Sequence, residues 1–175
     1  MSLKKLKIIG IVLAFLLAFP LHFLYDTFPS FITSIITPVN ESIWEHMKII
    51  FGSILFSGVI QKIIVIKKEL KYNNICISNV ISAFLSIFIF LIIYLPIYNI
   101  IGENFIITII IMLITFIISQ IITVFIIKLK KDLHMENYAI LFTILIYVTF
   151  GLLTYYPPQN KLFKDPMTNI YGIKK

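Results

Sequence analysis

Apolar blocks of about twenty residues, separated by short polar stretches, dominate this chain. A helix rising 1.5 Å per residue needs about that length to cross a hydrocarbon layer of about 30 Å. The pattern predicts spans from about Ile8 to Thr27, Ser42 to Ile66, Ser78 to Asn99, Asn104 to Ile127 and Tyr138 to Tyr156. The fold class expected is therefore all-α: a polytopic helical membrane protein with about five transmembrane helices in the segment 1–156. The first block starts as a signal peptide does, after Lys4, Lys5 and Lys7. No small-x-small cleavage site follows before Pro20 and His22, so an uncleaved first helix is expected. Phe28 to Asn40, punctuated by Pro29 and Pro38, reads as a connection.

The chain of 175 residues is 59% hydrophobic and 13% charged, against about a quarter charged in soluble domains, which excludes water as its main solvent. Its mean hydropathy of +1.00 agrees. The net charge of +7 comes from lysine alone, since arginine is absent. Lysine with abundant Ile and Asn suggests an AT-rich bacterial genome, hence a cytoplasmic membrane. The lysines flank apolar blocks without aromatic interleaving, so nucleic acid is not the expected partner and membrane lipid is. With alternating spans, Lys4, Lys5, Lys7, Lys62, Lys67, Lys68, Lys71, Lys128, Lys130 and Lys131 share one side; Lys48, Lys161, Lys164, Lys174 and Lys175 fall on the other. The positive-inside rule then places the amino terminus inside and the carboxyl terminus outside. Tyr25, Trp44, Tyr94, Tyr98, Tyr155 and Tyr156 collect at the outer boundary as an aromatic belt.

Gly10, Ala14 and Ala18 on the first span, and Ser53 and Ser57 on the second, are spaced to let two helices pack closely. Gln120 and Ser119 lie mid-span in the fourth block, as bonds to a neighbouring helix. No acid occupies the centre of a span, which argues against a proton-coupled pump. Cys76 is the one cysteine, without a partner for a disulfide or a metal motif. His134 belongs to a solvated lysine-rich loop. A homo-oligomer or a membrane protein partner is compatible with all of this.

The chemistry-bearing segment is Pro38-Val39-Asn40-Glu41-Ser42-Ile43-Trp44-Glu45-His46-Met47-Lys48, with two acids, a histidine and a lysine at the start of a membrane helix. Ionisable groups there are costly and point to function. Glu41 and Glu45, four apart, are expected on one helical face, where a proton or metal would relieve their repulsion. His22 lies roughly 7 Å below the outer end of the first span, close to the depth of Glu45 and His46, so adjacent antiparallel helices would bring them together. His22, Glu41, Glu45 and His46 thus form a candidate site for a divalent metal such as zinc, with Asp26 as an outer partner and Glu41 or Glu45 as candidate base for hydrolysis of a lipid or envelope substrate. Ring nitrogens of His22 and His46 more than about 8 Å apart would remove the shared site, because zinc ligands converge at about 2 Å from one ion. Two other readings stand beside it. Ser42-x-x-Glu45 is a capping box that would only start the helix, and the pocket would equally suit an ion, headgroup or small solute without catalysis, or belong to a structural subunit.

The tail from Pro157 to Gly172 carries Leu162, Phe163, Ile170 and Tyr171 as anchors and is expected to fold back as an extracytoplasmic cap over 157–175. On His22-x-x-Tyr25, the segment Pro38 to Lys48, and this tail, the chain resembles an uncharacterised family of small multi-pass membrane proteins of low-GC Gram-positive bacteria. The resemblance implies a fold type and no catalytic role.

Overall fold

A computed structural model describes residues 1–129 and 131–173. They form α1 (Leu3–Thr27), α2 (Phe31–Ile36), α3 (Ile43–Lys67), α4 (Ile75–Ile101), α5 (Phe105–Ile127) and α6 (Glu136–Tyr155). Five of these, all but α2, are long and apolar enough to cross a membrane. Each span coincides with one apolar block of the sequence, with ends extended by a few residues. Capping explains some of those ends: the Ser2 hydroxyl accepts from Lys5 N–H, Ser42 from Glu45 N–H and Asn104 from Ile107 N–H.

The surface is inverted relative to a soluble protein. Ile92, Phe125 and Phe105 are each at least 70% exposed, while Ser53, Ser57, Ser82, Ser86, Thr115, Ser119, Thr123 and Gln61 are buried. Such a surface is stable only against hydrocarbon, where interior polar groups must bond one another. Helix α1 packs on α3 through Gly10, Ala14 and Ala18, and the Ser57 hydroxyl donates to the Gly10 carbonyl over 2.8 Å. A Cβ on Gly10 would lie 2.5 Å from Gln61 Nε2 and 2.6 Å from Gln120 Oε1, so two glutamine amides occupy the space its missing side chain leaves.

Short bonds identify which segments share an end of the bundle. Lys7 meets Gln61, Lys62 meets Glu136, and Asn74 bonds Lys131 and Leu133 at one end. His22 meets Glu41, Glu45 meets Thr154, and Asn40 meets Gly172 at the other.

The connection between the first two spans holds more structure than its prolines suggest. Helix α2 is closed by a local capping box in which Ser30 and Thr33 exchange side-chain and backbone bonds. It is too short and too weakly patterned to be read from periodicity, and it sits against α6.

Candidate metal centre

The decisive local feature is where α3 begins. Ser42 is its N-cap, so Glu41 lies in the bend before the helix and does not share a helical face with Glu45. The helical spacing expected of the two acids fails for that reason. Asn40 shapes the bend: its Oδ1 accepts the Ser42 N–H at 2.8 Å, while its Nδ2 donates to the Gly172 carbonyl at 2.8 Å.

Glu45 turns into the protein. Its carboxylate takes the Lys48 ammonium at 2.6 Å, the Val39 N–H at 3.1 Å and the Thr154 hydroxyl at 2.8 Å. Lys48 also donates to the carbonyls of Ser34 (2.7 Å) and Thr37 (3.3 Å), so each of its three donors has an acceptor. Both residues are at most 1% exposed. This knot ties α2, α3 and α6 together and leaves Glu45 committed. Of the capping box, only the Ser42 half forms, because Asn40 takes the Ser42 N–H that Glu45 would have reached.

Glu41 turns the other way, between the histidines. Its Oε1 lies 3.7 Å from His22 Nε2 and its Oε2 3.6 Å from His46 Nε2. One donor atom from each of His22, Glu41 and His46 falls within 4.8 Å of the others. The two rings are 5.6 Å apart, centre to centre. These separations are long for hydrogen bonds but close to the roughly 3.3 Å between neighbouring ligands of a tetrahedral ion with bonds of about 2.0 Å. His46 Nδ1 lies 2.9 Å from the Ser42 carbonyl, which can only accept, so that nitrogen carries the proton. In the neutral ring Nε2 then keeps its lone pair facing Glu41 and His22. A backbone carbonyl fixing the tautomer is the usual outer support of a ligating histidine. His22 Nδ1 is buried without a partner.

Two spaces meet at this cluster. On one side is a cavity of about 140 Å³ between α1, α3, α4 and α5, lined chiefly by apolar side chains such as Phe15, Phe19, Phe90 and Met112. On the other is a cleft of about 290 Å³ lined by Asp26, Asn40, Asp165 and Thr168. His22 and Glu41 border both. Asp26 thus stands on the cleft beside His22, and Asp165 binds the Met167 N–H and the Thr168 hydroxyl of its own turn.

A family model described as a family of unknown function (DUF6512) matches residues 1–173. The chain belongs to that family. No curated protein and no solved structure matches it.

Several residues around the cluster of this DUF6512 chain escape a reading of its sequence. Tyr94 and Tyr98, expected in the aromatic belt, lie with ring centres 5.5 Å apart, tilted by 31°, and line the cavity with Glu103. Trp44, from the same belt, stacks on Phe163 of the tail at 4.8 Å and meets Phe150 edge-on at 5.5 Å. The Trp44 backbone N–H also donates to the Leu162 carbonyl at 2.9 Å. The tail therefore lies against the start of α3, and Pro166 reaches the cavity wall. A weak signal for Glu103 exists, as an acid beside the Asn104 cap of an otherwise apolar helix.

Proposed function

We propose that this membrane protein holds a divalent transition metal, zinc by its ligand chemistry, between His22, Glu41 and His46, and hydrolyses an amphiphilic substrate there. The observation that carries the reading is the convergence of three nitrogen and oxygen donors, one of them with its tautomer fixed by a backbone carbonyl. Two histidines and one glutamate with a fourth position open is the ligand set of hydrolytic zinc centres; structural centres use four protein ligands. A zinc ion there would lower the pKa of a water in the open position to about 7 and polarise a carbonyl or phosphoryl oxygen. In hydrolysis that water would supply the oxygen that replaces the alcohol on the ester carbon or phosphorus, and its proton would leave with the alcohol, while His22, Glu41 and His46 would hold the ion.

The two spaces at the cluster support an amphiphile. The apolar cavity suits a hydrocarbon chain, and the cleft lined by Asp26, Asn40 and Thr168 suits a polar head. Glu45 has no part in this scheme. In its orientation the lysine-rich end faces the cytoplasm, by the positive-inside rule, and the cluster faces the outer side of a bacterial cytoplasmic membrane.

Elemental analysis of protein purified without added chelator tests the proposal. About one equivalent of metal is expected, falling below about 0.1 in His46→Ala and in Glu41→Ala. Wild-type protein that stays below about 0.1 equivalent after incubation with zinc refutes the metal centre. Product release from phospholipid vesicles, followed by mass spectrometry, tests hydrolysis: it is expected to stop on chelation, and metal-loaded protein that releases nothing refutes that half.

A further inference from the structure

At the opposite end of the bundle, Lys7 is a buried cation without a buried anion. It is 5% exposed, and among the described residues it forms no ion pair. One of its donors reaches Gln61 Oε1 at 2.8 Å, and Gln61 passes the bond on to the Ser57 hydroxyl at 3.3 Å. Beside it, Gln120 is 2% exposed with neither its amide nitrogen nor its oxygen bonded. Leaving such groups unpaired in an apolar setting is costly, a cation above all.

Lys7 and Gln120 line one groove, of about 300 Å³, between the first turns of α1 and the last turns of α5. Lys4 and Lys128 stand along the same groove, and no acid lines it. The rest of the lining is apolar: Ile8 and Ile11 from α1, Ile117, Ile121 and Val124 from α5. From Ile117 to Lys128 the groove follows α5 for roughly 16 Å. One end thus offers three ammonium groups, while the rest offers branched hydrocarbon interrupted by Gln120, roughly 12 Å before Lys128 along α5. A free anion would use only the first part and a neutral acyl chain only the second.

We propose that this groove binds one anionic phospholipid, with its phosphate held by Lys4, Lys7 and Lys128 and its acyl chains along α1 and α5 past Gln120. The phosphate supplies the counter-charge that Lys7 lacks. The site is separate from the His22, Glu41 and His46 cluster and does not depend on a metal there.

Native mass spectrometry of the detergent-purified full chain, titrated with phosphatidylglycerol, phosphatidylcholine or inorganic phosphate, tests it. One phosphatidylglycerol is expected to bind with saturation, and phosphatidylcholine to bind at least about tenfold more weakly. Lys4→Gln and Lys128→Gln at the exposed rim should each weaken binding about fivefold, and Lys7→Gln with Gln120→Leu more than either. The control Lys67→Gln with Lys68→Gln, at the same end but off the groove, should bind as wild type. The proposal is overturned if the two lipids bind alike, if the control weakens binding as much as the rim variants do, or if inorganic phosphate displaces the lipid at equal concentration. If Lys7→Gln with Gln120→Leu does not fold, the rim variants decide.

Discussion

Removing Lys48 should destabilise the protein severely while leaving metal binding intact. In Lys48→Met the Glu45 carboxylate loses its 2.6 Å partner and keeps only the Val39 N–H and the Thr154 hydroxyl. The carbonyls of Ser34 and Thr37 lose a donor as well. Both members of the pair are buried, so solvent does not screen the loss. Breaking a buried pair on one side costs about 3–5 kcal/mol. At about 2–4 °C per kcal/mol for a chain of this size, the melting temperature in detergent should fall by roughly 6–20 °C. Replacing both partners, as Glu45→Gln with Lys48→Met, leaves no orphaned charge and should recover much of that loss. The assay is thermal unfolding with metal content measured on the same samples. His46→Ala should give the reverse result, with metal lost and stability little changed in the apoprotein. The reasoning is refuted if Glu45→Gln removes the metal without lowering the melting temperature, because Glu45 would then be a ligand.

Three further outcomes are expected. Metal affinity should fall as pH is lowered, because only a neutral imidazole ligates; competition with a chromophoric chelator measures it, and a flat profile speaks against histidine ligation. Trp44 is the one tryptophan, stacked on Phe163, so removing residues 157–175 should shift its emission to the red, and an unchanged spectrum would mean that the tail does not cover it. In a Cys76→Ser background, a membrane-impermeant thiol reagent applied to intact cells should label a cysteine at Asn160 and spare one at Lys68; the opposite result inverts the orientation.

The spans were legible because a bilayer imposes a requirement that needs no partner to be read: each block must be long and apolar by itself. Packing of α1 on α3 was legible for a related reason, since Gly10, Ala14 and Ala18 repeat at four-residue spacing and leave a flat face. The Ser42 cap was legible, but its consequence for the two acids was not. Glu41 and Glu45 are four apart, but the Ser42 cap falls between them and sends one to the histidines and the other to Lys48. Spacing arguments hold inside a helix and lapse at its end. The aromatic belt said nothing of which neighbours its rings meet: Trp44 stacks on Phe163 of the tail, more than a hundred positions later in the chain. Helix α2 is six residues long, too short to show a period, and the apolar cavity arises between elements and belongs to no single stretch of sequence.

The contact of the tail with the start of α3 bears on biogenesis. Leu162 and Gly172 bond Trp44 and Asn40, partners more than a hundred positions earlier in the chain. During synthesis Glu41 and His46 on the early segment emerge together with His22, but the wall beside them arrives only after the last span has been inserted. The growing chain therefore exposes an unroofed cluster for the whole interval in which α4, α5 and α6 are being made. If the proposed centre holds a metal, loading would have its widest access then. A fusion placed after Gly172 would crowd the same mouth in the finished protein, whereas one placed before Leu3 would sit at the far end of α1, roughly 28 Å from His22 along the helix axis.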